Sequence, residues 1–227
     1  MSNGILGTKG LIGYLKNLQA RITQEQFTLT IDDMEAKINL WMRRIVAIPP
    51  GNDRLVFVYE ALERVAQIDR ESRKNDPKGS LWNRVKCKKG CAACCGMLVN
   101  VSVSEARALA ALVNDGRVKV DRGRLERQTA KRHDAVTWWE LGAKDRECVF
   151  LKEDRTCGVY EDRPTECRTY LVLSDPALCA GPAGTNVAVF TCLDVEIVKS
   201  AYYNVESVSM SLPLGVLSRL RPQKEKS

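Results

Sequence analysis

Histidine is nearly missing from this chain: His133 is the only one in 227 residues. That removes the His-containing ligand sets of ordinary catalytic zinc sites and leaves little room for a Ser-His-Asp arrangement. No run of about 18 or more apolar residues occurs, so a membrane span is excluded. Met1 to Leu18 carries scattered glycines and lysines but no continuous apolar stretch, and a secretory signal is not expected. Without export, a reducing compartment is the default, and the expected location is cytoplasmic or in a particle assembled inside the cell. No phosphate-binding loop and no paired carboxylates stand out from solvated charge. Cysteine, too, is missing from the first third: none precedes Cys87.

What is present begins there. Cys87-Lys-Lys-Gly-Cys91-Ala-Ala-Cys94-Cys95 sets four sulfurs within nine residues, and Cys148, Cys157, Cys167, Cys179 and Cys192 follow. An odd total of nine fits a closed disulfide framework poorly, and in a reducing compartment such clusters are metal ligands or redox groups. With 44% hydrophobic and 28% charged residues the composition is that of a globular protein. The formal charge of +7 counts every cysteine as neutral. Two four-thiolate zinc sites at −2 each would bring +7 down to +3, so much of the basicity reads as counter-charge. Arg84, Lys86, Lys88 and Lys89 flank the first motif, and Arg146, Arg163 and Arg168 the later cysteines. The basic run from Arg117 to His133 reads as a solvated face; nucleic acid is a disfavoured partner because no binding motif accompanies it.

The apolar pattern predicts a mainly α (α+β) fold: an N-terminal helical hairpin, and an irregular, metal-stapled cysteine domain holding a short β-hairpin. A short helix is expected around Leu11–Leu18. A second, opened by capping residues Thr30–Asp33, carries Met34, Ile38, Trp41, Met42 and Ile45 on one face. A third, capped by Asn52 or Asp53, carries Leu55, Val58, Tyr59, Leu62, Val65 and Ala66. These N-terminal helices are the expected surface for a protein partner. Ser102-x-x-Glu105 is a capping box opening a helix through Val113. Cys148-Val-Phe-Leu and Thr156–Tyr160 read as two strands about a turn, which sets Cys148 opposite Cys157. Pro164 suits the start of a helical turn bearing Cys167, and Asp194 is expected to cap a last helix. The implied organisation is 1–80 helical, 81–205 cysteine-bearing and 206–227 a tail.

Cys87, Cys91 and Cys94 have the short spacings by which one loop presents several sulfurs to one ion or cluster. Adjacent Cys94 and Cys95 are expected to diverge, which favours a polynuclear cluster or paired sites over one lone zinc. The Cys-x3-Cys-x2-Cys spacing also matches radical S-adenosylmethionine enzymes, but Ala93 stands where those carry an aromatic. Too little chain follows Cys94 for most of their barrel. Cys192, in an apolar run, reads as a small buried hydrophobe.

Taken together, Cys87-x3-Cys91-x2-Cys94-Cys95, Cys148-Val-Phe-Leu, Cys157-Gly-Val-Tyr160, Arg163-Pro164-x2-Cys167-Arg168 and Ser174-Asp175-Pro176-x2-Cys179 resemble a cysteine-cluster family of zinc- or iron-chelating domains. The resemblance covers about residues 84–180. It implies chelation of zinc or an iron–sulfur cluster through cysteine; one branch resembles flagellin lysine methylases taken to carry such a cluster. The expected ligands are Cys87, Cys91, Cys94, Cys95, Cys148, Cys157, Cys167 and Cys179, with Pro164 and Arg168 shaping the loop and offsetting thiolate charge. The role expected for the metal is structural or redox. The alternatives are a component of a larger assembly such as a viral particle, and an iron–sulfur enzyme such as a protein methyltransferase.

Overall fold

A computed structural model describes residues 30–76, 80–130, 135–181 and 187–222. The helix expected at Leu11–Leu18 lies outside them. The fold is mainly α, with only short antiparallel strand pairs. No helix among the described residues is long and apolar enough to cross a membrane.

The chain makes two compact units, one from the residues up to Arg84 together with Phe190–Ser209, the other from Val85–Val189 together with the chain from Met210 onward. The first unit is built by α1 (Ile31–Val46), α2 (Asn52–Ser72) and α8 (Leu193–Glu206). Helix α1 opens with a capping box in which Thr30 Oγ1 accepts from Asp33 N–H and Asp33 accepts from Thr30 N–H. Met34, Ile38 and Ile45 are fully buried, as their spacing requires. Helix α2 starts after Gly51, whose φ of 144° only glycine adopts readily, and no side chain caps it; the expected Asn52 or Asp53 cap is not used. The two helices do not make a self-sufficient hairpin. Both pack chiefly on α8, whose Val195, Ile197, Val198, Ala201 and Tyr202 are buried. Arg54 donates to Ile48 O at 2.8 Å and approaches Glu206 at 3.9 Å, so the buried cation meets both a carbonyl and a carboxylate.

The second unit has its own core. Val101, Ala106, Leu109, Leu112, Leu125, Val149, Phe150, Val159, Leu212 and Val216 form one buried cluster. Strand β1 (Asn100–Ser102) leads into α3 (Val103–Asn114) through the expected capping box. Helix α4 (Arg122–Thr129) and the single turns α5 (Ala135–Trp138), α6 (Ala143–Arg146) and α7 (Thr165–Thr169) follow. Strand β2 (Leu171–Val172) pairs with β3 (Val189–Phe190), where the chain leaves this unit. It returns as β4 (Ser209–Ser211), paired with β1, and α9 (Leu212–Leu217).

Three expectations therefore change. The segment 81–205 is not one continuous domain, because α8 belongs with the N-terminal helices. The described part of 206–227 is not a tail: Leu212, Pro213, Gly215 and Val216 are buried. A Cβ at Gly215 would stand 2.9 Å from the Ala106 Cβ, so α9 lies against α3 closely enough to require glycine there. The hairpin at 148–160 reduces to one isolated bridge, Leu151 with Cys157, around a turn in which Arg155 takes a φ of 63°. Two members of the basic run are ion-paired: Arg127 meets Asp145 at 2.9 Å, and Arg124 meets Asp121 and Glu147 at 3.9 Å.

Candidate metal centre

Cys94 and Cys95 sit in a 3-10 turn, Ala93–Gly96. With three residues per turn, neighbouring side chains are about 120° apart rather than the near-opposition of a strand. Both therefore face one cavity, and the expected divergence of their side chains does not occur. The two thiols are close enough to hydrogen-bond each other. The turn is clamped from three directions: Cys148 N–H donates to Cys95 O at 2.7 Å, the buried Trp138 indole donates to Gly96 O at 2.9 Å, and the Pro176–Ala180 turn packs on it.

Each remaining cysteine is delivered by a local device. Lys86 N–H donates to Val172 O at 2.8 Å, tying the first motif to β2, and Cys87 Sγ accepts from Val172 N–H at 3.3 Å. Gly90, with φ at 88°, turns the chain toward Cys91. Val149, Phe150 and Val159 enter the core beside Cys148 and Cys157. Gly158 N–H donates to Phe150 O at 2.8 Å and keeps that turn closed. Gln128, almost wholly buried, donates to the carbonyls of Asp145 and Glu147 just before Cys148. Cys167 rides on α7, which begins after Pro164. Thr165 N–H there donates to Glu105 Oε1 at 2.6 Å, while Glu105 Oε2 accepts from Ser102 N–H at 2.8 Å. One fully buried carboxylate thus joins the start of α3 to the start of α7. Glu105 was read from sequence only as half of a capping box.

The result is a cavity of about 490 Å³ in the second unit, lined by Cys87, Cys91, Cys94, Cys95, Cys148, Cys157 and Cys167. Cys179 is buried in the adjacent turn, and its sulfur hydrogen-bonds the Tyr170 hydroxyl. Cys192, placed outside the ligand set, belongs to the other unit. All nine are free thiols.

Burial pushes up the thiols of Cys87, Cys157, Cys167 and Cys179, and carries Cys148 to about 11. Cys94 is pushed far above the ordinary range, first by its hydrogen bond with Cys95 and then by burial. The neighbours that add to the cost of ionisation map the cluster. Cys94 acts on Cys87, Cys148, Cys157, Cys167 and Cys179, so it stands at the centre. Around it fall two groups. Cys87 and Cys91 act on Cys179, and Cys148 and Cys157 act on Cys167. Arg163 opposes this on Cys87, Cys94 and Cys157. Arg168, expected to offset thiolate charge, instead donates to the backbone oxygens of Arg163 and Glu161 and holds the loop.

The donor set fits a thiophilic ion in kind: eight sulfurs, no imidazole among the described lining residues, and cations alongside. Among the described residues, no three Cys, His, Asp or Glu side chains stand at the spacing that would hold one ion. The fit is thus one of chemistry and neighbourhood. Comparison with curated proteins and with solved structures finds no match. A family model, CxxCxxCC, described as "Putative zinc- or iron-chelating domain", matches residues 86–183, a little under half of the chain.

Proposed function

We propose that the second unit holds zinc or an iron–sulfur cluster through Cys87, Cys91, Cys94, Cys95, Cys148, Cys157, Cys167 and Cys179. The observation that carries this is the convergence of seven of these cysteines, from four separate segments, on one cavity, with the eighth buried beside it. Packing alone does not require eight sulfurs in one place, whereas thiophilic metals do. The grouping of Cys87, Cys91 and Cys179 on one side and Cys148, Cys157 and Cys167 on the other supports two neighbouring four-sulfur centres. Cys94 and Cys95 complete one each.

In this reading the metal is chiefly structural. The segments bearing the cysteines have little regular structure: two single-bridge or two-residue strand pairings and turns of four or five residues. Thiolate–metal bonds would supply the cross-links that short elements lack. The chain's own residues position the sulfurs: Trp138, Gln128 and Glu105 by hydrogen bonds to backbone, Tyr170 by its hydroxyl on Cys179.

The deciding experiment is elemental analysis of anaerobically purified protein with an absorption spectrum and an assay for acid-labile sulfide. Iron with sulfide selects a cluster; colourless protein with stoichiometric zinc selects structural zinc. Protein isolated without metal and unable to take any up, yet fully folded, overturns the proposal.

A further inference from the structure

Arg163 has a geometry that the eight sulfurs alone do not explain. Its guanidinium lies 4.1 Å from the centroid of the Tyr160 ring, which fixes its plane, and it lines the cysteine cavity. Its Nε is buried and finds no hydrogen-bond acceptor among the described residues. A buried guanidinium N–H without an acceptor forfeits its hydration with nothing in return, and such an atom persists where it meets an acceptor that the protein part does not supply. The neighbouring acceptors-to-be are sulfurs. Arg163 lines the same cavity as Cys87, Cys94 and Cys157. Lys89 shares the same ring at 4.8 Å, but its ammonium is exposed and turned toward Glu161 at 3.5 Å.

We infer that Arg163 is the counter-cation and N–H donor of the metal-bound thiolates, positioned by Tyr160 between the two sulfur groups. This rests on the metal-centre reading above. A four-thiolate centre carries excess negative charge in a half-buried cavity, and a fixed guanidinium offsets it where a solvated lysine does not. The N–H would also draw electron density from the sulfur it reaches, which a purely structural arginine would not do.

The test compares the full-length parent, Arg163→Met, Arg163→Lys and Lys89→Met, each purified anaerobically. Bound metal per chain, its loss to a competing chelator and the sulfur-to-metal absorption bands are measured. For Arg163→Met we expect affinity to fall by roughly 10–100-fold with the bands displaced. Arg163→Lys should recover part of the loss, and Lys89→Met should match the parent. Three results overturn the role: metal held by Arg163→Met as tightly as by the parent with unmoved bands; an equal loss in Lys89→Met, which would reduce the effect to net charge; or a thermal midpoint in metal-free Arg163→Met lowered as much as its metal-bound form, which would leave only the packing on Tyr160. A parent that takes up no metal overturns the centre itself, and this role with it.

Discussion

Cys94 and Cys192 show how much a cysteine's meaning depends on its surroundings. Cys94 lies in a tight turn among the cavity's sulfurs, its ionisation opposed by the hydrogen bond with Cys95, by burial and by charge on Cys95 unless a metal takes the proton's place. Cys192 is buried in the helical unit, where burial lifts its thiol to about 12. Replacing Cys94 by alanine should therefore lower bound metal more than any other single change, whereas Cys192→Ala should leave metal per chain at the parent value. Elemental analysis of the two variants checks this. Cys192 should also resist alkylation in the folded protein at mildly alkaline pH, since the thiolate is the nucleophile. Rapid labelling of Cys192, located by peptide mass, would contradict that.

The elements around the site are short, and their positions depend on a few buried polar contacts. Glu105 serves the first turns of α3 and α7 at once. Glu105→Ala strands two buried amides and should cost about 2–5 kcal/mol, read by urea unfolding, with Glu105→Gln losing less because one acceptor remains. At the same end of α3, Gly215 is held by contact rather than by conformation. Gly215→Ala would press on Ala106 and Val101 and should cost about 1–3 kcal/mol. Gly142→Ala, at a position with open space and a φ of −58°, should be near neutral in the same assay. Helix α1, the capping box of α3 and the stripe on α2 were readable because period and caps are local properties of sequence. The strand pair expected at 148–160 was not realised: Val149, Phe150 and Val159 are spent on the core, and a turn with one bridge suffices to place them.

Across the molecule, the two units predict two responses if the proposed metal centre cross-links only the one that bears it. Chelation should loosen the cysteine unit, seen as faster amide exchange in residues 85–181, while α1, α2 and α8 keep their protection. Exchange that rises equally in both would contradict this. The pH responses of the two states have opposite sign. In metal-free protein burial raises the folded thiols of Cys148 and Cys192 above the ordinary value of 9.0, to about 11 and about 12. The unfolded chain then ionises first, so stability is full below about 9 and falls as pH climbs toward 11–12. In metal-loaded protein the ligands are thiolates, protons compete with the ion, and stability is lost on acidification. Thermal midpoints across pH, with and without metal, separate the two.

Composition, the near-absence of histidine and the cysteine spacing determined the available chemistry: a set of cysteines from Cys87 onward with almost no imidazole beside them, in a mainly helical chain. These follow from residue identity and from short-range periodicity. The tertiary structure decided what lies far apart in sequence. It assigned α8 to the N-terminal helices, turned the expected tail into core, put Cys192 in a different unit from the other eight cysteines, and set the Arg163 guanidinium on the Tyr160 ring at the cavity while Arg168 holds backbone oxygens. Each of those depends on which apolar face finds which partner and on where a buried charge finds its acceptor, and neither is encoded within any one stretch of the chain.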